Sequence, residues 1–202
     1  MVSNNKLSLV FVVTLLSLSG ILIAQESMDQ KAQQELMAAY MELAQPGEAH
    51  QLLASLEGQW NMEIKAWMSP GMEPMLMTGK AENKMILGGR FLLTTSEGGE
   101  GDMYTETHTL TGFDRRYKKY TTVGYDTWGT YYATAAGTSD ESGRTITMYG
   151  EDEDPIIGKT QKYDMVLHFI DNDSYRWEVI FKDFRTPNEE PFKMLEILYT
   201  RQ

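Results

Sequence analysis

The sequence contains no cysteine among its 202 residues. That absence excludes disulfides, thiolate metal sites and cysteine nucleophiles together. Histidine is nearly as scarce, with only His50, His108 and His168, and the three fall in separate segments, so a three-histidine zinc site is not predicted. Phosphate-binding glycine loops and serine nucleophile elbows are also missing. Positive charge is short as well, with 18 Lys and Arg against 29 Asp and Glu and a net charge of −11. Such a balance argues against nucleic acid and anionic lipid headgroups as partners.

What is present is ordinary globular material, 42% hydrophobic and 23% charged. The start is an exception. Lys6 precedes an apolar run from Leu7 to Ile23, broken only by Thr14, Ser17, Ser19 and Gly20 and closed by Ala24 before Gln25. This layout predicts a cleavable secretory signal over residues 1–24 and an exported, periplasmic or extracellular protein. The alternative is a membrane anchor formed by an uncleaved signal, since the run is about long enough to span a bilayer core. After cleavage no membrane span is expected, and without cysteine the exported chain must be held by its core alone.

Residues 25–45 lack glycine and proline until Gln45 and are rich in strong helix formers. Leu36, Met37, Tyr40, Met41 and Leu43 recur at spacings of three and four, which predicts an amphipathic helix ending at Pro46-Gly47. A second, short helix is expected from Glu48 to about Leu56. From Gln59 the pattern becomes short Thr-, Tyr-, Val-, Ile- and Met-rich runs between turn residues. About ten strands are predicted, at 59–68, 75–86, 90–97, 103–113, 117–126, 129–138, 144–151, 160–170, 174–183 and 191–201. Connections this short pair neighbouring strands antiparallel. The expected fold is therefore mostly β, an antiparallel up-and-down barrel over 46–202, with a two-sheet sandwich as the alternative.

Period-two alternation gives an expected inner face. It carries Trp60, Met62, Ile64, Ala66 and Met68 in the first strand, and Tyr163, Met165, Leu167 and Phe169 in the eighth. In the ninth it carries Tyr175, Trp177, Val179 and Phe181. In the fourth strand a ladder of Thr105, Thr107, Thr109 and Thr111 reads as solvent-facing, which turns Tyr104, Glu106, His108 and Leu110 inward. A barrel of this size can hold one small molecule, and a lining of Met, aromatic and a few polar groups suits an apolar or amphiphilic ligand. The same residues would also make a solid core.

Several segments together resemble a known family. They are Pro46-Gly47-Glu48-Ala49-His50 with Leu53 and Gly58-Gln59-Trp60, then Glu82 to Leu92 around Gly88-Gly89, and Glu196-Ile197-Leu198-Tyr199-Thr200-Arg201. With Gly112-Phe113-Asp114, Lys118-Lys119-Tyr120 and Asp154-Pro155 to Gly158-Lys159 between them, the chain resembles the bacterial domain of unknown function 1579 family (DUF1579) from about Pro46 to Arg201. The resemblance implies a calycin-like barrel, similar to lipocalins and fatty-acid-binding proteins, and implies no activity. Gly58-x-Trp60 is also similar to the lipocalin opening, in which an arginine from a late strand covers the tryptophan. Arg201 is placed for that structural role.

Candidate chemistry is sparse. Glu106 and His108, two apart on one strand, could act as an acid–base pair, although the family pattern does not require His108. Glu82, Asn83 and Arg90 flank the Gly88-Gly89 turn and could hold a polar group on a ligand if they point inward. No cofactor is predicted. Haem would have His108 as its only axial ligand, and Met68, Met72, Met75 and Met77 could serve Cu(I) only as thioethers, without a nearby Cys or His; they read first as a flexible apolar lip on the barrel mouth. The acidic stretch Glu151-Asp152-Glu153-Asp154 reads as a solvated hairpin loop, lacking the spacing of a calcium loop. The composition thus points to a small-molecule binding module. An enzyme using the Glu106–His108 pair, and an envelope protein with a filled barrel and a protein partner, are the alternatives.

Overall fold

The computed structural model describes residues 30–156, 158–182 and 191–202. The signal segment and the Thr186-Pro187-Asn188 turn expected from the sequence lie outside the described residues. The chain forms two compact units, residues 1–44 and 45–202. The described part of the first unit is one helix, α1 (Gln30–Leu43), in which no residue is buried.

The second unit begins with a short helix, α2 (Glu48–Ala54), followed by ten strands. They are β1 (Gly58–Ala66), β2 (Met75–Ile86), β3 (Phe91–Gly98), β4 (Thr105–Asp114) and β5 (Lys119–Asp126), then β6 (Ala133–Ser139), β7 (Thr145–Asp154), β8 (Lys159–Phe169), β9 (Ser174–Phe181) and β10 (Phe192–Arg201). A single 3-10 turn, Gly101–Met103, joins β3 to β4. Each strand pairs antiparallel with its sequence neighbours, and β10 pairs with β1 to close the barrel. The expected up-and-down barrel is the observed one, and the closed ring leaves no free strand edge.

Most strand boundaries shift by one or two residues from the sequence reading, and three of the shifts have visible reasons. β7 runs through the acidic stretch to Asp154, because Asp154 faces Lys159 and Glu151 faces Lys162 across the β8 ladder. Opposite charges directly across a ladder stabilise pairing rather than ending it. β6 starts only at Ala133. Residues 127–132 form a loop begun by Asp126, whose carboxylate accepts the Trp128 backbone N–H at 2.8 Å. The third is β4, which starts at Thr105 rather than 103 because the 3-10 turn takes Gly101–Met103.

Glycines mark two places where the backbones of neighbouring strands come close. A Cβ on Gly79 would lie 2.4 Å from the Glu97 carbonyl oxygen, and one on Gly137 1.8 Å from that of Thr147. Only a residue without a side chain fits such a tight approach in a barrel wall. The first closure lies at β2–β3 and the second at β6–β7. Between them the ring divides into a group β3 to β6 and a group β7 to β2.

One end of the barrel is shut. Leu53 and Leu56, from α2 and the turn after it, are buried there with Trp60, Tyr120, Tyr175 and Tyr199. Tyr175 stacks on Tyr199 at 4.2 Å and meets Trp60 edge-on at 4.7 Å. Arg201 completes the plug. Its guanidinium carbon sits 4.2 Å over the Trp60 ring, while its nitrogens donate to the carbonyls of Glu57, Ser55 and Asn172. Three carbonyls and one indole face use the planar fork of an arginine more fully than a lysine could.

Candidate functional site: the barrel lumen

Register, followed strand by strand, fixes which side chains point inward. The pairs Leu92–Thr111, Thr94–Thr109 and Ser96–Thr107 carry the inward face from β3 to β4. Thr111–Thr122 and Phe113–Tyr120 carry it on to β5, and Thr122–Ala135 to β6. Thr111 and Thr122 are buried, with their hydroxyl oxygens 3.1 Å apart. The threonine ladder of β4 therefore lines the interior, and the expected phase of that strand is reversed. Glu106 and His108 are exposed on the outer wall. Tyr104 is 44% exposed and donates from its hydroxyl toward Glu97 and Glu106 at 3.1 Å each. Desolvation, and then those two carboxylates, push its hydroxyl pKa up to about 12.

This corrects the site residues expected from sequence. Glu106 and His108 do share a face, but that face is the outside, so neither reaches a ligand in the lumen as acid, base or axial haem ligand. Glu82 is exposed on the outer wall. Arg90 donates to the carbonyls of Leu87 and Gly88 within its own turn. Asn83 does point inward and is 3% exposed, but it is consumed by the closed end. Its amide donates to the Leu56 carbonyl and the Tyr175 hydroxyl at 2.9 Å each, and its oxygen accepts from Thr94 at 2.7 Å. His50 is buried and likewise structural. Its Nδ1 accepts the Gly47 N–H at 3.0 Å and its ring meets Phe113 edge-on. Burial, then the charges of Arg115 and Arg90, hold its pKa below the ordinary histidine value. No group of three His, Asp or Glu side chains able to hold a metal occurs among the described residues.

In β1, β8 and β9 the inward face follows the expected alternation. Trp60, Met62 and Ile64 are buried together with Tyr163, Leu167, Tyr175 and Val179. Toward the opposite end from the plug the picture changes. Met77, Met165, Trp177, Phe181 and Leu195 point inward yet remain partly exposed. An inward-facing side chain that still meets solvent lines accessible space rather than a filled core. Facing them, Ser96, Thr107 and Thr109 are half-buried. A Cβ on Gly124 would meet nothing within 4 Å except the Thr109 hydroxyl at 3.6 Å.

Residues 67–74, 99–104, 127–132, 155–156 and 158 surround that end. They include Met68, Met72, Trp128, Tyr131, Tyr132 and Ile156, all more than half exposed. Trp128 donates its indole N–H to Thr105 at the rim. The methionine part of this lip, Met68 and Met72, was expected from the sequence; the aromatic part was not, because its members come from other loops. A second concavity of ≈ 510 Å³ lies outside the closed end, between α2 and the turns near Lys118 and Ser142.

The architecture is that of a closed ten-strand antiparallel barrel with a helix-capped end and an apolar-lipped open end. The chain belongs to DUF1579, a family of proteins of unknown function, whose model matches residues 45–201. No curated protein matches the chain. Among solved structures it is similar to Rv2717c from M. tuberculosis, with 16% identity, 78% of this chain and 99% of that one covered, and a TM-score of 0.55. That likeness concerns the fold. A redesigned beta barrel also matches, at 11% identity over 74% of this chain and 94% of that one, with a TM-score of 0.39.

Proposed function

We propose that this protein is an exported binding module that takes one small amphiphilic molecule into the barrel through the lipped end. The observation that carries the reading is the partial exposure of inward-facing Met165, Trp177, Phe181 and Leu195. Apolar side chains aimed into a barrel are normally its driest positions, so exposure there is best met by a guest. Exposed aromatic and methionine side chains at the mouth extend the same apolar track outward. The outward placement of Glu106 and His108 takes away the acid–base pair on which a catalytic reading would rest.

Native mass spectrometry of the protein isolated from its own host tests this, paired with binding of the neutral dye 1-aminoanthracene. Near-stoichiometric carriage of a small molecule, or micromolar dye binding, is the expected result. Gly124→Leu adds a side chain into the open space beside Thr109, so the variant folds and binds dye at least tenfold more weakly. A protein that carries nothing and binds no dye, or a folded Gly124→Leu variant with unchanged dye affinity, overturns the proposal.

A further inference from the structure

The lumen has two chemically different walls, and the division falls at the glycine closures that separate β3–β6 from β7–β2. On the first group the inward positions beyond Leu92, Phe113 and Tyr120, which belong to the closed end and the core, include Ser96, Thr107, Thr109, Thr111 and Thr122, with Gly124 and Ala135. On the second they are bulky and apolar, including Met62, Ile64, Met148, Met165 and Trp177. The hydroxyls matter because of what they lack. Thr111 and Thr122 bond each other, and Thr94 bonds Asn83. No hydrogen bond to protein is made by the side chains of Ser96, Thr107 or Thr109, and none of their hydroxyls is a buried atom. They therefore present donors and acceptors to the lumen itself.

The charges matter equally. Between the two ends, no lysine or arginine occupies an inward-facing position among the described residues. Arg201 is spent in the plug. Near the mouth the inward register carries Asp126, Asp152, Asp154 and Lys159; Lys159 stands opposite Asp154 in the ladder, and Asp152 accepts from the Tyr163 hydroxyl at 2.7 Å, which leaves Asp126 and Asp152 without a cation across the ladder. A carboxylate guest would pass two like charges and then lie unpaired in an apolar site, which is costly.

We infer that the lumen selects an uncharged amphiphile whose hydroxyl or carbonyl oxygens meet Thr107 and Thr109, and that it rejects fatty-acid carboxylates. The inference rests on the lumen being a ligand site, as proposed above. It separates this barrel from one that would clasp an acid through an internal cation.

The test is competition for bound 1-aminoanthracene by glyceryl monolaurate and by laurate, equal in acyl chain and both kept below micelle formation. Monolaurate is expected to displace the dye at least tenfold more tightly. The double variant Thr107→Val, Thr109→Val keeps the shape of the wall, so it folds like the wild type by circular dichroism, and in direct calorimetric titration its monolaurate affinity falls about fivefold, one neutral hydrogen bond's worth. Dye binding with laurate equal to or better than monolaurate overturns the inference and leaves the binding module standing. Unchanged monolaurate affinity in the double variant overturns the role of the hydroxyl wall. Absence of any dye binding overturns the binding module itself.

Discussion

Replacing Asn83 by alanine should separate the closed end of the barrel from its open end. Asn83 is 3% exposed and makes three hydrogen bonds, to Leu56, Tyr175 and Thr94. The Leu56 carbonyl keeps a partner, because the Trp60 indole N–H also donates to it at 2.9 Å. The buried Tyr175 hydroxyl loses its donor and the Thr94 hydroxyl loses its acceptor. At roughly 1 kcal/mol for each bond, Asn83→Ala is expected to cost about 3 kcal/mol. For a domain of this size that lowers the thermal midpoint by about 6–12 °C, read by circular dichroism and by urea titration. Dye affinity at the lipped end should stay within twofold, since Asn83 belongs to the plug. Asn83→Leu supplies the discriminating control. It restores volume but not polarity, so it should cost as much as alanine. A loss below about 1 kcal/mol in Asn83→Ala, or full recovery in Asn83→Leu, refutes the hydrogen-bond argument and assigns the effect to packing.

Two further outcomes follow from the same end of the molecule. Arg201→Lys should lose about 2 kcal/mol in urea unfolding, because an ammonium cannot serve the Glu57, Ser55 and Asn172 carbonyls while covering Trp60. An unchanged urea midpoint would show that the fork geometry is not needed. His50 has a folded pKa held below its unfolded value of 6.5. Its contribution is complete above about pH 6.5 and is lost as pH falls toward the lowered folded value, since the unfolded chain binds the proton first. Urea midpoints measured from pH 8 to pH 5 should therefore fall more steeply in the wild type than in His50→Gln, and parallel slopes would contradict the assignment.

The fold was legible in the sequence where bulky and charged residues alternate, as in β1, β8 and β9. There the two faces differ enough in burial energy that only one phase is reasonable. In β4 the period was legible but the phase was not. Threonine stands on one face and Glu106 and His108 on the other, so both faces look polar. The decisive sign lay one step further along, at Phe113, which shares the face of Thr111 and closes on Tyr120 in the core. A lumen that holds accessible space also weakens the assumption that polar residues point outward. Asn83 and Arg90 sit in a distinctive stretch around Gly88-Gly89, yet that stretch serves a turn and a plug, and sequence gives no way to tell a built end from a binding site. The methionine side of the lip was legible around the first hairpin, whereas Trp128, Tyr131 and Tyr132 belong to a loop distant in sequence that joins the same end only once the ring has closed.

The pairing of β1 with β10 has a consequence for synthesis. Trp60 lies opposite Arg201 in that ladder, so the seam joins the first strand of the barrel to the last. While the chain emerges in order, β1 waits with one edge unpaired until the final ten residues of the barrel are available. Contacts of such wide sequence separation form slowly and leave strand edges open to other chains in the interval. The seam is the step at which a nascent molecule commits to a closed ring or to aggregation, and Arg201, arriving last over an indole made first, is the latch that ends the exposure.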